Sequence, residues 1–252
     1  MPIVFMVKSL KKALNIMEFI SETNYSPSIA QIASHLEINR TTAYRLVQTL
    51  YSQGYLKKDE DTKGFQIGLK LLPLAARLLD NDTLRKESLP YLQELAQKSG
   101  ERVNLGILFQ GEVIYLAGVE KPSLPMVYTR FGKKAPVHCC SLGKIILAYL
   151  PEEEVAHILK QKPLIKVTEN TITDPRIFKK HLAEIRSKGY AVDHGEHIPG
   201  SYCISAIIRD TTGGGIASIS ISSGNFDKVK GHLDNLLQTA EVISHLMGYM
   251  GS

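Results

Sequence analysis

Two segments of the sequence concentrate side chains that could bind a ligand or carry out a reaction. One is VHCCSLGK, residues 137–144, and the other is DHGEHIPGSYC, residues 193–203. Both follow strand patterns and lead into a helix or a loop, and such junctions commonly form concave sites. Ser141, Leu142 and Gly143, at the start of a helix pattern, would offer backbone N–H groups to an anion. We therefore expect a pocket for a small organic acid.

A zinc ion is one alternative for these side chains. Histidine, cysteine and aspartate are all zinc ligands, and His138, Asp193 and Cys203 would be the ligands here. The CxxC and HExxH spacings, which place two ligands on one turn, do not occur in these segments. Taken singly, the three cysteines also fit as small core residues. We expect no bound cofactor, and a metal-sensing protein remains the alternative.

Catalysis is a second alternative. Ser141 and Lys144 match the SxxK motif of penicillin-binding enzymes, in which the lysine lies one helical turn from the serine nucleophile. The companion SDN and KTG motifs are not found, and Ser141 also suits the role of a helix cap. We expect no enzymatic activity, and the rival interpretation is a hydrolase or transferase that uses Cys140 or Ser141. The glycines at 213–215 precede a strand pattern, so they indicate a hairpin turn rather than a phosphate loop.

The N-terminal part of the chain contains a pair of short helix patterns followed by a strand hairpin. Ser28 and Gln31 form a capping box that starts one helix, Asn39 can cap a second helix, and Gly54 is placed to end it. An amphipathic helix precedes this pair, and two strand patterns around an Asp-Thr-Lys-Gly turn follow it over residues 55–67. The sequence therefore predicts a winged helix-turn-helix.

The outer face of the second helix carries side chains that suit the major groove of DNA. Arginine can hydrogen-bond guanine edges or phosphates, and threonine can contact phosphate or a thymine methyl group. Lysines of the wing can contact phosphates. The alternative is an ordinary solvated helix face. The predicted DNA-binding residues are Ser28, Arg40, Thr41, Thr42, Tyr44, Arg45, Gln48, Lys57 and Lys63.

Length and composition are those of a globular protein with room for two domains. The 252 residues are 44% hydrophobic and 22% charged, and the net charge of +5 permits nucleic-acid binding without establishing it. No apolar run is long enough for a membrane span, and lysines interrupt the N-terminal segment, which lacks a signal cleavage site. Three cysteines, two of them adjacent, suit a reducing compartment. We expect a cytoplasmic protein that does not enter a membrane.

The remainder of the chain alternates strand and helix patterns. Strands are expected at 103–109, 113–119, 126–131, 190–193, 203–209 and 216–222, and helices after Ser141, Pro151 and Pro175 and over about 227–247. Hairpins with flanking helices indicate an α+β domain with a mainly antiparallel sheet. The predicted boundaries are 1–68 for the winged helix-turn-helix, 69–82 for a linker helix and 83–252 for the second domain. The linker is apolar, and we expect a second copy of the chain to cover it.

Over nearly its whole length the sequence resembles the IclR family of bacterial transcriptional regulators. The matching segments are SIAQIASHLEINRTTAYRLVQTLYSQGYL, the wing with the Gly-Leu-Lys-Leu-Leu linker, GKKAPVHCCSLGKIILAYLP and YAVDHGEHIPGSYCISAIIRD. The resemblance implies a dimerising winged helix-turn-helix and a GAF-like C-terminal domain that binds a small metabolite and alters operator binding. The residues that match the family motifs are Gly132, His138, Gly143, Lys144, Asp193, Glu196 and Cys203. Cys139-Cys140 and His197-Ile198-Pro199 depart from the usual family pattern.

These observations together predict a ligand-responsive transcription factor. It would be a homodimer or homotetramer that binds palindromic double-stranded operator DNA. Asp193 and Glu196 would contact ligand hydroxyls or hold the loop, because their charge opposes an anion. The predicted effector-binding residues are His138, Cys140, Ser141, Leu142, Gly143, Asp193, Glu196, Cys203 and Ser205.

Overall fold

The computed structural model describes residues 6–120 and 132–251. It divides into two compact units, the first ending at Asn81 and the second beginning at Asp82. None of the helices in these two ranges is long and apolar enough to cross a membrane. The strand expected at 126–131 lies outside the described residues.

The first unit is a winged helix-turn-helix, as the sequence predicts. Six buried side chains form its core: Ile16, Ile20, Ile32, Val47, Leu56 and Phe65. The two strands pair antiparallel as a hairpin. The elements are α1 (Lys8–Glu22), α2 (Ile29–His35), α3 (Arg40–Ser52), β1 (Leu56–Lys58), β2 (Phe65–Ile67) and α4 (Leu71–Asp80).

The helix ends of this unit follow the local signals in the sequence. The capping box of Ser28 and Gln31 is present at the start of α2. The Asn39 side chain accepts a hydrogen bond from the Thr41 N–H at 2.7 Å and so caps α3. Gly54 follows α3 with φ +78°, a left-handed conformation that glycine adopts without strain. The structure therefore confirms these three signals. They are predictable because each involves only residues close in sequence.

The apolar segment before residue 82 forms the expected helix, α4. It starts at Leu71, so Pro73 lies in the first turn, where proline removes no intrahelical hydrogen bond. None of its residues is buried. Leu72, Leu74 and Leu78 are each more than half exposed. The helix therefore presents an uncovered apolar surface.

The second unit is an α+β domain, and its described residues form one antiparallel sheet of six strands in the order β5-β4-β3-β8-β7-β6. This confirms the predicted fold class. The helices are α5 (Thr83–Ser99), α6 (Ser141–Tyr149), α7 (Glu152–Gln161), α8 (Pro175–Lys188), α9 (Phe226–Gly231) and α10 (Leu233–Leu246). The strands are β3 (Arg102–Phe109), β4 (Glu112–Val119), β5 (Lys134–Pro136), β6 (Tyr190–His194), β7 (Tyr202–Arg209) and β8 (Gly215–Ser223).

Helices pack on both faces of this sheet. Leu92 and Leu95 of α5 and Leu236 and Ile243 of α10 cover one face, where they meet the isoleucines and alanines of the central strands. On the other face α6 and α8 form a second core, which includes the buried Phe178. Because side chains alternate along a strand, the residues between those of the first core point toward α6. Many of them are polar, and they form the floor of the candidate site.

Two details of the second unit differ from the sequence prediction. β5 has only three residues and contains a proline, so it carries too weak a strand pattern to be recognised. The helix expected over 227–247 is two helices, which separate at Gly231 and His232. Glycine disfavours a helix interior, and Asn225 caps the short α9 through the N–H groups of Asp227 and Lys228.

Candidate functional site

Most of the α3 side chains predicted to contact DNA are exposed on the first unit. Arg40, Thr41, Tyr44 and Arg45 are exposed and Thr42 and Gln48 are half-buried, whereas Ala43 and Val47, on the opposite side, are fully buried. Side chains four residues apart on a helix share a face, so Thr41, Arg45 and Tyr44 project outward together. The Ser28 hydroxyl is engaged in the capping box. Its side chain therefore already has a structural role.

The wing presents its lysines outward and keeps one carboxylate inside the turn. Lys57 and Lys63 are exposed, and Lys63 has φ +60°. Asp59 accepts hydrogen bonds from the Thr62 N–H and the Ser26 hydroxyl, which lower its pKa to about 2. Gln66 also donates to Asp59. The charge of Asp59 is thus held by hydrogen bonds from the turn, from Gln66 and from Ser26, and these bonds stabilise the hairpin.

A small cavity lies at the N-terminus of α6 in the second unit. A water-sized sphere can be centred in only about 10 Å³ of it, which is room for a single water molecule. Helix α6 forms one side, strands β6, β7 and β8 form another, and the loop after β6 closes it. The lining residues are Tyr115, Cys140, Ser141, Leu142, Asp193, His197, Ile198, Ser201, Cys203, Ser220 and Ser222.

The cap of α6 is Cys140, and the prediction that Ser141 caps this helix is wrong. Cys140 has extended backbone angles, and its Sγ accepts a hydrogen bond from the Gly143 N–H at 3.4 Å. Ser141 is the first helical residue. Serine is intrinsically the better cap, but the backbone conformation, set by packing, decides which residue occupies the position. Sulfur is a weak acceptor, so the thiol caps this helix less strongly than a hydroxyl would.

The first turn of α6 approaches the neighbouring backbone very closely. A Cβ at Gly143 would lie 2.2 Å from the Val137 carbonyl oxygen and 2.6 Å from its Cα. Ser218 donates a hydrogen bond to the Leu142 carbonyl at 3.1 Å, which fastens this turn to the sheet. The N–H groups of Ser141 and Leu142 have no acceptor within the described ranges. They are the donors that a helix N-terminus offers to an anion.

The strands bring polar side chains from distant parts of the sequence to the other side of the cavity. Asp193 of β6 pairs with Cys203 of β7, which pairs with Ser222 of β8. Ser220 lies two residues before Ser222 and therefore on the same face. The Cys203 Sγ lies 3.1 Å from Ser222 Oγ. This row offers hydroxyl and thiol groups opposite the α6 N–H groups.

Asp193 holds the loop that closes the cavity. Its Oδ1 accepts hydrogen bonds from the N–H groups of Glu196 at 2.7 Å and His197 at 3.4 Å. Burial raises the pKa of Asp193 to about 6, although the Glu196 N–H and the nearby Lys144 act in the opposite direction. The expectation that Asp193 holds the loop agrees with this geometry.

We predict a characteristic pH dependence of stability from Asp193. Its pKa is higher in the folded protein than the ordinary value of 3.8, so the folded state retains the proton between these two values. The stability from this group is present below pH 3.8 and is lost as the pH rises through about 6, by up to about 3 kcal/mol. Asp193→Asn keeps the accepting oxygen and removes the titration. Urea unfolding at several pH values should show the variant gaining stability relative to wild type as the pH rises, and a constant difference would contradict the assignment.

A buried ion pair anchors the same loop to α6. Lys144 Nζ donates to Glu196 Oε1, and the Lys144 side chain is 0% exposed. Glu196 Oε2 has no hydrogen-bond partner among the residues described. Thr171 donates to the Glu196 carbonyl, and Thr168 donates to the Gly195 carbonyl. The ion pair and the hydrogen bonds to Asp193 therefore both hold this loop in place.

The structure brings together five of the nine predicted effector-binding residues in the cavity lining: Cys140, Ser141, Leu142, Asp193 and Cys203. His138, Gly143, Glu196 and Ser205 are buried outside the lining, and His138 Nε2 lies 2.9 Å from the Ile165 carbonyl. Gly132 donates its N–H to the Tyr115 carbonyl. Ser220 and Ser222 were not predicted. The alternating ISIS pattern of residues 219–222 was the available signal, since it places both serines on one face of a strand.

The buried thiols of Cys139 and Cys140 are poor nucleophiles and poor metal ligands. In the two described ranges no three side chains of histidine, cysteine, aspartate or glutamate are placed to hold a metal ion. Burial raises the pKa of Cys139 to about 12 and also raises the pKa of Cys140. Thiols bind metals and attack substrates as thiolates, which are scarce at these pKa values.

Comparison with known proteins agrees with this architecture. The family model described as bacterial transcriptional regulator IclR C-terminal matches residues 76–245, and the IclR helix-turn-helix domain model matches residues 9–60. The chain is 32% identical over 223 residues to the transcriptional repressor IclR of Escherichia coli (strain K12), covering 88% of this chain and 81% of that protein.

Solved structures show the same two-domain fold. An IclR transcriptional regulator from Alicyclobacillus acidocaldarius has a TM-score of 0.84 and 26% identity, covering 97% of this chain and 100% of that one. An IclR homolog from Microbacterium hydrocarbonoxydans, complexed with 4-hydroxybenzoate, has a TM-score of 0.77 and 25% identity, covering 95% and 99%. The family models together match most of the sequence, and both units have the expected architecture. The chain therefore belongs to the IclR family of bacterial transcriptional regulators.

Proposed function

We propose that this protein is a ligand-responsive regulator that binds palindromic operator DNA through α3 and the wing, and a small organic acid at the N-terminus of α6. The observation that carries the proposal is the cavity lined by Ser141 and Leu142, whose N–H groups are free within the described residues, and by Ser220 and Ser222. These groups all donate hydrogen bonds, and a carboxylate accepts them.

The small volume of the cavity constrains how the ligand binds. It has room for about one water molecule and not for a carboxylic acid, so the proposal requires the loop of residues 195–201 to move outward on binding. Because Lys144 and Asp193 tie this loop to α6 and β6, its movement changes the contacts of both elements. The relative complexed with 4-hydroxybenzoate supports a carboxylate as the ligand class. Proton uptake by Asp193 would reduce its repulsion of the ligand.

An enzymatic role of the SxxK kind is disfavoured by the position of Lys144, the base that this motif would use. In the SxxK interpretation Lys144 would activate Ser141, but its ammonium group is fully buried and bonded to Glu196. The buried thiols are protonated, as their raised pKa values indicate. We propose that the protein binds its small molecule without transforming it. A turnover assay with acyl substrates, comparing wild type with Cys140→Ala, should show no difference, and a rate lost in the variant would contradict this.

We propose that the active form is at least a dimer. Leu10 and Leu14 of α1 are half or more exposed, as are Leu72, Leu74 and Leu78 of α4, and both helices belong to the first unit. A second copy would cover these apolar surfaces. Two α3 helices about one DNA turn apart, or ~34 Å, would then meet the two halves of a palindrome.

Arg45 gives the first DNA prediction. Arg45→Ala should weaken binding to the operator by about 1–3 kcal/mol, because an exposed arginine on this face can make a bidentate contact to guanine. The operator can be selected by the protein from a random duplex library and its affinity measured by fluorescence anisotropy at fixed salt. Glu18→Ala, an exposed change on α1, is the control. Unchanged affinity of Arg45→Ala would rule out this role.

Lys63 should contribute affinity without sequence preference. It is exposed at the tip of the wing, where it would contact a phosphate. Lys63→Ala should weaken binding to all DNA similarly and lower the slope of log affinity against log salt by about 0.9. Alanine is strained at φ +60° as lysine is, so the backbone term changes little. A changed base preference would contradict the assignment.

The ligand site is tested by calorimetric titration of two- to four-carbon carboxylic acids. We expect at least one to bind wild type and to bind Ser222→Ala about tenfold or more weakly, because a hydroxyl that donates to the ligand is removed. Ser99→Ala, on a serine at the end of α5, is the matched control. Equal binding by Ser222→Ala would place the ligand elsewhere.

A further inference from the structure

One buried side chain holds both serine hydroxyls of the cavity. Asn104 of β3 is 2% exposed, and its Nδ2 donates to Ser220 Oγ at 3.4 Å and to Ser222 Oγ at 3.3 Å. The strand register places Asn104 directly opposite Ser220. Asn104 lies behind the two serines and is not among the residues that line the cavity.

This arrangement determines which way the hydroxyl hydrogens can point. An amide nitrogen carries two hydrogens and donates both, so each serine oxygen must accept one of them. A hydroxyl that accepts from Asn104 still has its own hydrogen to donate. Ser220 and Ser222 line the cavity, so that hydrogen is available to a bound molecule.

The unsatisfied carbonyl oxygen of the Asn104 side chain argues against a purely structural role. Its Oδ1 is buried and has no hydrogen-bond partner within the described part of the chain. A buried acceptor without a partner destabilises the fold. Asn104 therefore donates to both serines while its own buried oxygen destabilises the fold. A buried polar atom without a partner calls for an explanation, and a role in function is one.

On the basis of the proposed function, we infer that Asn104 is a positioning residue that fixes the hydrogen-bond polarity of the ligand cavity. It makes Ser220 and Ser222 donors toward the ligand, in the same sense as the N–H groups of Ser141 and Leu142. The cavity then accepts a carboxylate and discriminates against a ligand of the same shape that presents hydrogens, such as a primary amide. A buried site of defined polarity rejects a mismatched group strongly, because its own donors are left unpaired.

Exchange of the amide for a carboxylate tests this directly. In Asn104→Asp a group of nearly the same shape accepts where asparagine donates, so the serine hydroxyls turn toward it and present lone pairs to the cavity. The probes are acetate and acetamide, titrated calorimetrically at pH 8. Wild type should prefer acetate by about tenfold or more, and Asn104→Asp should lower or reverse this ratio. Gln97→Glu, the same change of amide to carboxylate on an exposed residue of α5, controls for added charge.

Two further variants separate polarity from folding. Asn104→Leu has no charge and no donor, so the acetate-to-acetamide ratio should fall without reversing, while thermal melting reports whether each variant is folded. In a Ser220→Ala/Ser222→Ala background, Asn104→Asp should have a much smaller effect, because the serines through which it acts are gone.

Each outcome decides between the alternatives. An unchanged ratio in Asn104→Asp and Asn104→Leu, or an equal loss of both ligands, would show that Asn104 acts structurally and would overturn the inference. The proposed ligand site would survive that result. If wild type binds neither the short carboxylic acids nor 4-hydroxybenzoate, the ligand of the relative, the proposed function and this inference both fail, and the unmutated protein alone reveals it.

Discussion

Replacing Lys144 with methionine is expected to lower the free energy of unfolding of the second unit by about 3–5 kcal/mol. The lysine is fully buried and its ammonium group is the partner of the Glu196 carboxylate. Without it, a buried carboxylate remains uncompensated close to the carboxyl group of Asp193. Breaking a buried pair on one side is much more damaging than the pair itself is stabilising, because the desolvated charge has no partner.

The double variant Lys144→Met/Glu196→Leu is the matched control. Removing both charges with side chains of similar volume should recover most of the loss, since such replacements are often neutral or stabilising. Urea unfolding followed by circular dichroism measures both variants. If the single and double variants are equally unstable, the lysine stabilises through its packing and not through its charge.

Gly143→Ala is expected to destabilise the second unit by at least about 3 kcal/mol and to abolish ligand binding at the cavity. Overpacking normally has an effect of about 1–3 kcal/mol, but here the added Cβ meets backbone atoms of Val137 at 2.2 and 2.6 Å, which no side-chain rotation relieves. The start of α6 must move away from residue 137. The N–H groups of Ser141 and Leu142 move with it.

The expected loss of stability in Gly143→Ala is opposite in sign to the usual effect of replacing a helical glycine with alanine. In an ordinary helix, glycine to alanine stabilises by up to about 1 kcal/mol. Gly231→Ala in α9 meets no atom within 4 Å and is the control for that ordinary effect. Urea unfolding of the two variants should therefore differ in sign. A neutral or stabilising result for Gly143→Ala would mean that α6 does not approach Val137 as described.

The sequence predicts the first unit well because its signals are local. The Ser28–Gln31 capping box, the Asn39 cap and the Gly54 stop each involve residues within a few positions of one another. Hairpin turns are also determined by residues close in sequence. The sequence therefore predicts both the wing and the turn at residues 213–215.

The ligand cavity is less predictable because strand register assembles it. Asn104 meets Ser220 and Ser222 across 116 and 118 residues, and Lys144 meets Glu196 across 52. No local pattern indicates such pairings. The N-cap of α6 is likewise not predictable from local sequence. Serine has the higher intrinsic preference for an N-cap, but tertiary packing places Cys140 there. Residue types therefore predicted where the site lies, and tertiary structure decided which side chains line it.

The most direct measurement is the affinity of wild-type protein for its operator with and without a saturating carboxylate, together with the affinity for the carboxylate with and without operator. If the cavity at α6 controls DNA binding, the two affinities must change by the same factor, typically about 5- to 150-fold. Ser222→Ala should require proportionally more carboxylate for the same change, and Arg45→Ala should bind the operator more weakly while its affinity for the carboxylate is unchanged. Operator affinity that stays constant while the cavity is saturated would contradict the central claim.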